Sequence, residues 1–200
     1  LKSFAFDTET SSLNALEAEI VGLSFSYKAR EAYYIPISTN PKERDKILSI
    51  FKPLFENERI EKVGQNIKYD YHILANYGIK LKGQLFDTMI AHYLLQADMR
   101  HNMTVLAETY LNYSPIKIEA IIGRGKAQVN MRDLPAIKIK DYACEDADIT
   151  WQLKTVFEPL LKEESLVSLF QEIEMPLVSV LAKMEREGIN LDRGSLQIFS

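Results

Sequence analysis

Three short acidic motifs, separated by long stretches of chain, are the sequence feature that most constrains the fold. They occupy residues 6–10 (FDTET), 65–70 (QNIKYD) and 142–146 (YACED). Acids that gather without basic partners repel one another, and a divalent cation between them relieves the repulsion. Oxygen-only ligands favour Mg²⁺ or Mn²⁺, which bind through a few carboxylates plus substrate phosphates. The motifs therefore predict a fold that brings three distant segments to one metal site, with phosphodiester cleavage as its chemistry.

Composition is that of an ordinary globular domain. Hydrophobic residues make up 46% of the 200 residues, which is enough for a sizeable core, and charged residues make up 26%. No apolar run approaches the roughly 18 residues that span a bilayer, so no membrane partner is expected. The single Cys144 excludes an intramolecular disulfide and a thiolate zinc site, which favours a reducing cytoplasm.

The formal net charge of −4 is unusual for a nucleic-acid binder, which usually carries a basic surface. It argues against a module that binds duplex tightly. It argues less against an enzyme that holds a few nucleotides, because bound metals neutralise the acids and meet the phosphates.

Hydrophobic periodicity predicts three strands at residues 2–7, 19–27 and 31–37, with short strands later at 62–64 and 84–86. It predicts helices at residues 41–55, 67–77, 88–95, 104–111 and 136–161. Residues 111–134 are less regular, and 123–126 form a predicted turn. Three early strands followed by strand–helix alternation predict an α/β fold with a mixed sheet covered by helices.

The C-terminal 30 residues have a different pattern. Residues 172–187 form a strongly amphipathic predicted helix that ends at Gly188, and Asp192 can cap another helix that is still apolar at Ser200. The chain also starts at Leu1 without an initiator Met. Both ends predict a piece cut from a longer protein.

The first motif places two carboxylates on one side of a strand. Asp7 and Glu9 are two residues apart, so they share a face, whereas Phe4, Phe6 and Thr8 face the other way. Adjacent carboxylates indicate a metal site, although a lone pair of this kind is also typical of a polar strand end facing solvent.

The second motif stacks Asn66 and Asp70 on one face at the start of a helix. Asn66 follows a short strand, so it is a candidate N-cap as well as a functional residue. Asp70 lies beside the predicted buried face of this helix. An acid is rare at such a position unless it has a partner or a function there.

The third motif repeats the same spacing. Tyr142 and Asp146 are in line with Ile149 on the predicted core face of the long helix. A buried tyrosine hydroxyl bonded to Asp146 would also explain the pair. Glu145 or Asp148 remains an alternative to Asp146 as a ligand.

Together the motifs resemble those of the DEDD exonuclease superfamily in its tyrosine subclass. The histidine subclass carries a histidine where this chain has Asp141. Wider segments, FAFDTET, VGQNIKYD, FDTM, YACEDAD and IEMPLV, are similar to the bacterial DNA polymerase I family. Residues 1–170 resemble its 3′→5′ proofreading exonuclease domain, and residues 171–200 the truncated start of its polymerase domain. The resemblance implies a ribonuclease H-like mixed β-sheet flanked by helices, with a C-terminal helical extension.

The resemblance also implies the roles of the acids. Asp7, Glu9 and Asp146 would hold the first of two divalent ions, Mg²⁺ or Mn²⁺, which binds the attacking water. Asp70, with Asp7, would hold the second, beside the leaving 3′ oxygen. Tyr142 would orient the water, since a phenol with a pKa near ~10 is mostly protonated at neutral pH.

The implied partners are a single-stranded or frayed DNA 3′ end and the polymerase domain of the same full-length chain. Leu13 matches the family's wedge against the terminal base, while Ile118 stands where the family can carry an aromatic. Seven residues fall in substrate-binding positions: Thr8, Leu13, Gln65, Asn66, Tyr69, Arg100 and Met103.

The resulting hypothesis is a proofreading exonuclease that releases deoxynucleoside monophosphates from DNA 3′ ends. One alternative is an RNA-trimming exonuclease like ribonuclease D, which shares the tyrosine motif. Another is a catalytically vestigial scaffold for the polymerase, which the presence of all four acids and Tyr142 disfavours.

Overall fold

The computed structural model describes residues 1–199 and contains a five-stranded mixed sheet with the order β3-β2-β1-β4-β5. The strands are β1 Ser3–Thr10, β2 Ile20–Lys28, β3 Glu31–Pro36, β4 Glu61–Gly64 and β5 Leu85–Asp87. β1, β2 and β3 form an antiparallel meander, whereas β4 pairs parallel to β1 and β5 parallel to β4. β1 is therefore the central strand, with two strands on either side.

Nine α-helical segments accompany this sheet in residues 1–199. They are α1 Pro41–Phe55, α2 Ile67–Asn76, α3 Thr88–Leu95, α4 Met103–Leu106, α5 Ile118–Ile122, α6 Ala136–Glu163, α7 Val167–Leu169, α8 Met175–Glu187 and α9 Arg193–Ile198. Two π-helical turns, Ala107–Leu111 and Phe170–Glu174, extend α4 and connect α7 to α8. Short 3₁₀ turns occupy Gly125–Ala127 and Met131–Asp133.

The two faces of β1 carry different chemistry. Phe4 and Phe6 are buried against Phe55 of α1, with ring centroids 6.0 and 5.0 Å apart. Asp7 and Glu9 lie on the opposite face, where α6 crosses the sheet. The predicted alternation of Phe4 and Phe6 with Asp7 and Glu9 is confirmed, and it places the two acids on the face that α6 covers.

The predicted fold class is confirmed, and several elements have the predicted bounds. α1 begins at Pro41 because Asn40 caps it, accepting a hydrogen bond from the Lys42 amide at 3.0 Å, and proline suits the first helical position. α3 begins at Thr88 because the Asp87 side chain accepts hydrogen bonds from the Met89 and Ile90 amides of its first turn.

Other bounds differ from the prediction. β1 continues past Asp7 to Thr10, since its pairing with β2 persists across an irregularity after Glu9. The helix expected at residues 104–111 begins at Met103 and widens into a π-helical turn that ends at Asn112, whose φ is 50°. α5 lies in the stretch expected to be irregular, and α8 begins at Met175 rather than at residue 172.

The C-terminal helical extension is confirmed, and its first part packs on the rest of the molecule. Phe170, Met175 and Val178 belong to the main hydrophobic core. Glu185 of α8 pairs with Lys68 and His72 of α2. The domain boundary at residue 170 remains a prediction. Within residues 1–199, no helix combines the length and apolar character needed to cross a membrane.

Candidate active site

The central strand and the long helix α6 bring three carboxylates together. Asp7, Glu9 and Asp146 each offer an oxygen, and these three oxygens lie within 4.8 Å of one another. Glu9 and Asp146 are buried, whereas Asp7 is partly exposed to the cleft in front of the sheet. The first and third motifs therefore meet at one point, as their spacing predicts.

Asp70 borders this group from the first turn of α2. It is only 2% exposed, and its Oδ1 accepts hydrogen bonds from the Thr8 amide at 3.1 Å and the Thr8 hydroxyl at 2.6 Å. Thr8 stands between Asp7 and Glu9 in sequence, so these two bonds fix the second motif directly to the first.

All four carboxyl groups have raised pKa values. Burial is the largest cause for each, and it raises the pKa of Asp7 to about 6. Burial raises the pKa of Glu9, Asp70 and Asp146 well above their ordinary values, and the charge of Asp7 raises each further. The hydrogen bonds from Thr8 partly offset this effect at Asp70. The site is thus short of positive charge.

The donor set fits a hard divalent cation. No lysine or arginine among residues 1–199 forms an ion pair with any of these four carboxylates. Glu9 also has a buried oxygen, Oε1, that finds no hydrogen-bond partner in the described part of the chain. Converging oxygen ligands without a protein counter-charge are what Mg²⁺ and Mn²⁺ require.

Tyr142 is partly buried beside the acids, one helical turn before Asp146. Burial raises the pKa of its phenol, and the charges of Asp146, Glu9 and Asp7 raise it further. The hydroxyl is therefore protonated at neutral pH and can donate a hydrogen bond.

The neighbouring acids on α6 face elsewhere. Glu145 accepts hydrogen bonds from the Tyr113 hydroxyl and the Ile116 amide, and Asp148 accepts from the Arg30 amide at 2.6 Å. Neither lies in the group formed by Asp7, Glu9 and Asp146. The geometry thus favours Asp146 over both alternatives.

The start of α2 depends on a residue that the three motifs do not include. Asn66 is at the N-cap position, but its left-handed backbone (φ 60°, ψ 46°) leaves its side chain without a capping hydrogen bond, so the predicted capping role is wrong. Asp87 accepts from the Asn66 amide at 3.2 Å and the Ile67 amide at 2.8 Å instead. Asp87 also accepts from the Met89 and Ile90 amides of α3. The only sequence signal for this role is its place in the FDTM segment.

The acids open into a cleft of about 870 Å³. Of the predicted substrate-binding residues, five line this cleft: Thr8, Leu13, Gln65, Asn66 and Tyr69. Leu13 is 94% exposed at its edge. The Tyr69 hydroxyl is tied to the Thr10 hydroxyl and the Ser12 carbonyl, both at 2.5 Å, so this aromatic ring is held at the wall.

The remaining two predicted contacts lie outside the cleft lining. Arg100 is exposed in the turn before α4, and Met103 packs partly buried against the main core. Gln65 links the cleft to this turn, because its side-chain amide donates to the His101 carbonyl at 2.8 Å. Ile118 and Gly125 also line the cleft, so the predicted turn at 123–126 borders the site.

Fold and site together define a nuclease of the ribonuclease H-like class. A family model described as 3′-5′ exonuclease, of the DNA polymerase A type, matches residues 1–162. The chain therefore belongs to the 3′-5′ exonuclease domain family of DNA polymerase A, as the sequence motifs predict.

Curated relatives support the same family. DNA polymerase I of Pseudomonas aeruginosa is 41% identical over 206 residues, which cover 98% of this chain and 23% of the relative. DNA polymerase I of Borreliella burgdorferi is 42% identical over 200 residues, which cover 98% of this chain and 22% of the relative. The chain thus spans less than a quarter of the length of these relatives.

Solved structures share the fold. Brucella melitensis NrnC with bound Mg²⁺ superposes with a TM-score of 0.76 at 20% identity, covering 94% of this chain and 87% of that one. The POL domain of Pol1 from M. smegmatis, in complex with DNA primer-template and dNTP, has a TM-score of 0.76 at 22% identity, covering 98% of this chain and 30% of that one. These similarities confirm the predicted ribonuclease H-like architecture.

Proposed function

We propose that this exonuclease domain proofreads DNA by hydrolysing the 3′-terminal phosphodiester of a single-stranded or frayed end and releasing deoxynucleoside monophosphates. The observation that carries the proposal is the convergence of Asp7, Glu9 and Asp146 within 4.8 Å, in a chain of this family. The domain would act in the cytoplasm as part of a DNA polymerase I, with the polymerase domain of the same chain as its partner.

Two divalent ions, Mg²⁺ or Mn²⁺, are the proposed cofactors. Asp7, Glu9 and Asp146 would hold one ion, and Asp70 with Asp7 would hold the other. Such ions, when bound, stabilise both the attacking and the leaving oxygen of an in-line displacement. The raised pKa values of all four acids support this assignment, because bound cations would restore the charged carboxylates that burial disfavours.

Tyr142 would orient the attacking water by hydrogen bonding. Its raised pKa makes it a poor base at neutral pH, since the phenol keeps its proton. Its place one turn before Asp146 puts the hydroxyl beside the acids that would hold the cations.

The cleft supplies a site for a terminal nucleotide. Leu13 presents an apolar side chain at the edge, suited to stack against the terminal base, and Tyr69 offers an aromatic ring on the wall. Gln65 and Asn66 offer amides near the acids. Arg100 and Met103 lie outside the cleft lining, so only a DNA strand that continues beyond the cleft would reach them.

The proposal is tested with 5′-labelled oligomers of DNA and RNA of the same sequence, incubated with Mg²⁺, with Mn²⁺ or with EDTA. The expected result is a metal-dependent ladder on DNA that shortens from the 3′ end. Faster trimming of RNA would support a ribonuclease D-like activity instead. Absence of cleavage and of metal binding would support the scaffold alternative and contradict the proposal.

A further inference from the structure

A row of side chains runs from Asp7 across β2 to β3, on the face of the sheet that carries the acids. Asp7 of β1 pairs with Ser24 of β2, and Ser24 pairs with Tyr34 of β3. Residues that face each other across paired strands project from the same face of the sheet. Ser24 and Tyr34 therefore lie on the same face as the acidic group, although no sequence motif connects them to it.

The side chain of Tyr34 extends toward Glu9 over Gly22 of β2, which has no side chain in its way. Gly22 is the residue of β2 directly opposite Glu9. A Cβ atom at Gly22 would lie 2.3 Å from both the Tyr34 hydroxyl oxygen and its Cε2 atom. The Tyr34 hydroxyl thus occupies the space that a side chain at position 22 would fill, in the row next to Glu9.

Both polar groups at this place are buried without partners. Among residues 1–199, the Tyr34 hydroxyl has no hydrogen-bond acceptor and Oε1 of Glu9 has no donor. The ring of Tyr34 packs against a small apolar cluster formed by Val21, Met131, Ile139 and Ala143. A buried polar group without a hydrogen bond lowers the stability of the fold. An unpaired group of this kind therefore indicates a partner that it acquires when the protein binds its ligands.

The phenol is suited to donate. Burial raises the pKa of Tyr34, and the nearby charge of Glu9 raises it further, so the hydroxyl keeps its proton. A protonated phenol can donate to a carboxylate oxygen.

We infer that Tyr34 is a positioning residue for Glu9. Its hydroxyl donates to one oxygen of the Glu9 carboxylate, which fixes the carboxylate and leaves its other oxygen for a cation. This inference rests on the proposed function, because it requires Glu9 to hold a divalent ion. Hydrogen-bond partners behind metal ligands typically contribute about 10–100-fold to metal affinity or activity.

The test compares Mn²⁺ binding to the metal-free protein by titration calorimetry. Tyr34→Phe removes only the hydroxyl and keeps the packed ring. Tyr33→Phe is the matched control, because the adjacent Tyr33 is exposed and its hydroxyl donates to Glu31 at 2.5 Å. We expect about a tenfold weaker Mn²⁺ affinity for Tyr34→Phe and an unchanged affinity for Tyr33→Phe.

A double-mutant cycle with Glu9→Gln separates positioning from a general structural role. If Tyr34 acts through Glu9, Tyr34→Phe weakens Mn²⁺ binding in the wild-type background and has no further effect beside Glu9→Gln. Equal weakening in both backgrounds, or an affinity for Tyr34→Phe equal to that of the wild type, would overturn the inference.

The wild-type measurement distinguishes this inference from the proposed function. A wild-type protein that binds no Mn²⁺ would overturn both. A wild-type protein that binds Mn²⁺ and trims RNA rather than DNA would contradict only the proposed substrate, and the comparison of Tyr34→Phe with Tyr33→Phe would still decide the role of Tyr34.

Discussion

At the scale of single residues, the four acids are held by the fold in an arrangement that is unfavourable without a counter-charge. Asp7 contributes to the repulsion at Glu9, Asp70 and Asp146. Two hydrogen bonds from Thr8 hold the Asp70 carboxylate in place beside Asp7. The cost of this arrangement should be measurable as a pH-dependent loss of stability.

Asp7→Asn should stabilise the metal-free protein at neutral and alkaline pH. The pKa of Asp7 is raised from 3.8 to about 6, so the folded state binds this proton more tightly than the unfolded state does. Asp7 therefore costs stability as pH rises from about 4 to about 6, and the cost stays constant above that window. In EDTA we expect a gain of about 1–3 kcal/mol at pH 8 that shrinks as pH falls toward 4. Urea unfolding at several pH values measures it, and a gain independent of pH would contradict the assignment.

Leu13→Ala should weaken binding of the 3′ end without affecting stability. The side chain is 94% exposed, so little packing is lost. Full burial of a leucine side chain contributes about 1.5–3 kcal/mol, so covering Leu13 with a base predicts roughly a tenfold higher KM for a single-stranded DNA oligomer. Leu16→Ala is the control, because Leu16 is also exposed in the same loop but does not line the cleft. An equal effect of both substitutions would argue against the wedge role of Leu13.

At the scale of secondary-structure elements, one carboxylate organises two helix starts. Asp87 is 1% exposed and accepts four backbone amide hydrogen bonds, two at the start of α2 and two at the start of α3. Because Asp70 sits in the first turn of α2, Asp87 also fixes where that acid stands relative to β1.

Asp87→Ala should destabilise the protein by about 1–4 kcal/mol, since two helix caps are lost and each contributes about 0.5–2 kcal/mol. Urea unfolding is the measurement, with Asp98→Ala as control because Asp98 is exposed. A loss no larger than that of the control would show that the amides find other acceptors.

Helix α8 should be held on α2 partly by Glu185. Its carboxylate binds Lys68 and the His72 ring, with 2.8 Å to Nε2, and these partners lower the pKa of Glu185. Glu185 is exposed, so Glu185→Gln should cost only about 0.2–1 kcal/mol. Amide hydrogen exchange should become faster in α8 but not in β1, and the exposed Glu187→Gln should have no effect. Unchanged exchange in α8 would contradict this contribution.

These elements also show how far local sequence signals extend. The bounds of α1 are predictable because Asn40 and Pro41 act within the first turn. The start of α2 is not predictable in this way. Asn66 is a residue type that commonly caps helices, but the acceptor of the first amides is Asp87, which comes 21 residues later. Local periodicity cannot reveal an acceptor that a parallel strand brings into place.

At the scale of the whole molecule, the sheet order explains why three distant motifs form one site. β1 is central, α2 follows the neighbouring parallel strand β4, and α6 crosses the acidic face. The sequence predicts the four acids and Tyr142 because strand and helix periods place each pair on one face. It does not predict Tyr34, since its position depends on the register of β2 with β3 and on the missing side chain at Gly22.

The proposed function requires that Asp7, Glu9 and Asp146 act in the hydrolysis through bound cations. The most direct test is the rate of 3′-end cleavage of a 5′-labelled DNA oligomer as a function of Mn²⁺ for two matched variants. Asp146→Asn removes an acid of the converging group, and Asp148→Asn removes an acid two residues later that bonds to the Arg30 amide. We expect Asp146→Asn to lower the rate by about 10²–10³-fold, because this group would stabilise the transition state. Its urea unfolding curve should match that of the wild type. Asp148→Asn should retain wild-type activity. Equal rates for the wild type and Asp146→Asn would contradict the proposed metal-dependent hydrolysis at this site.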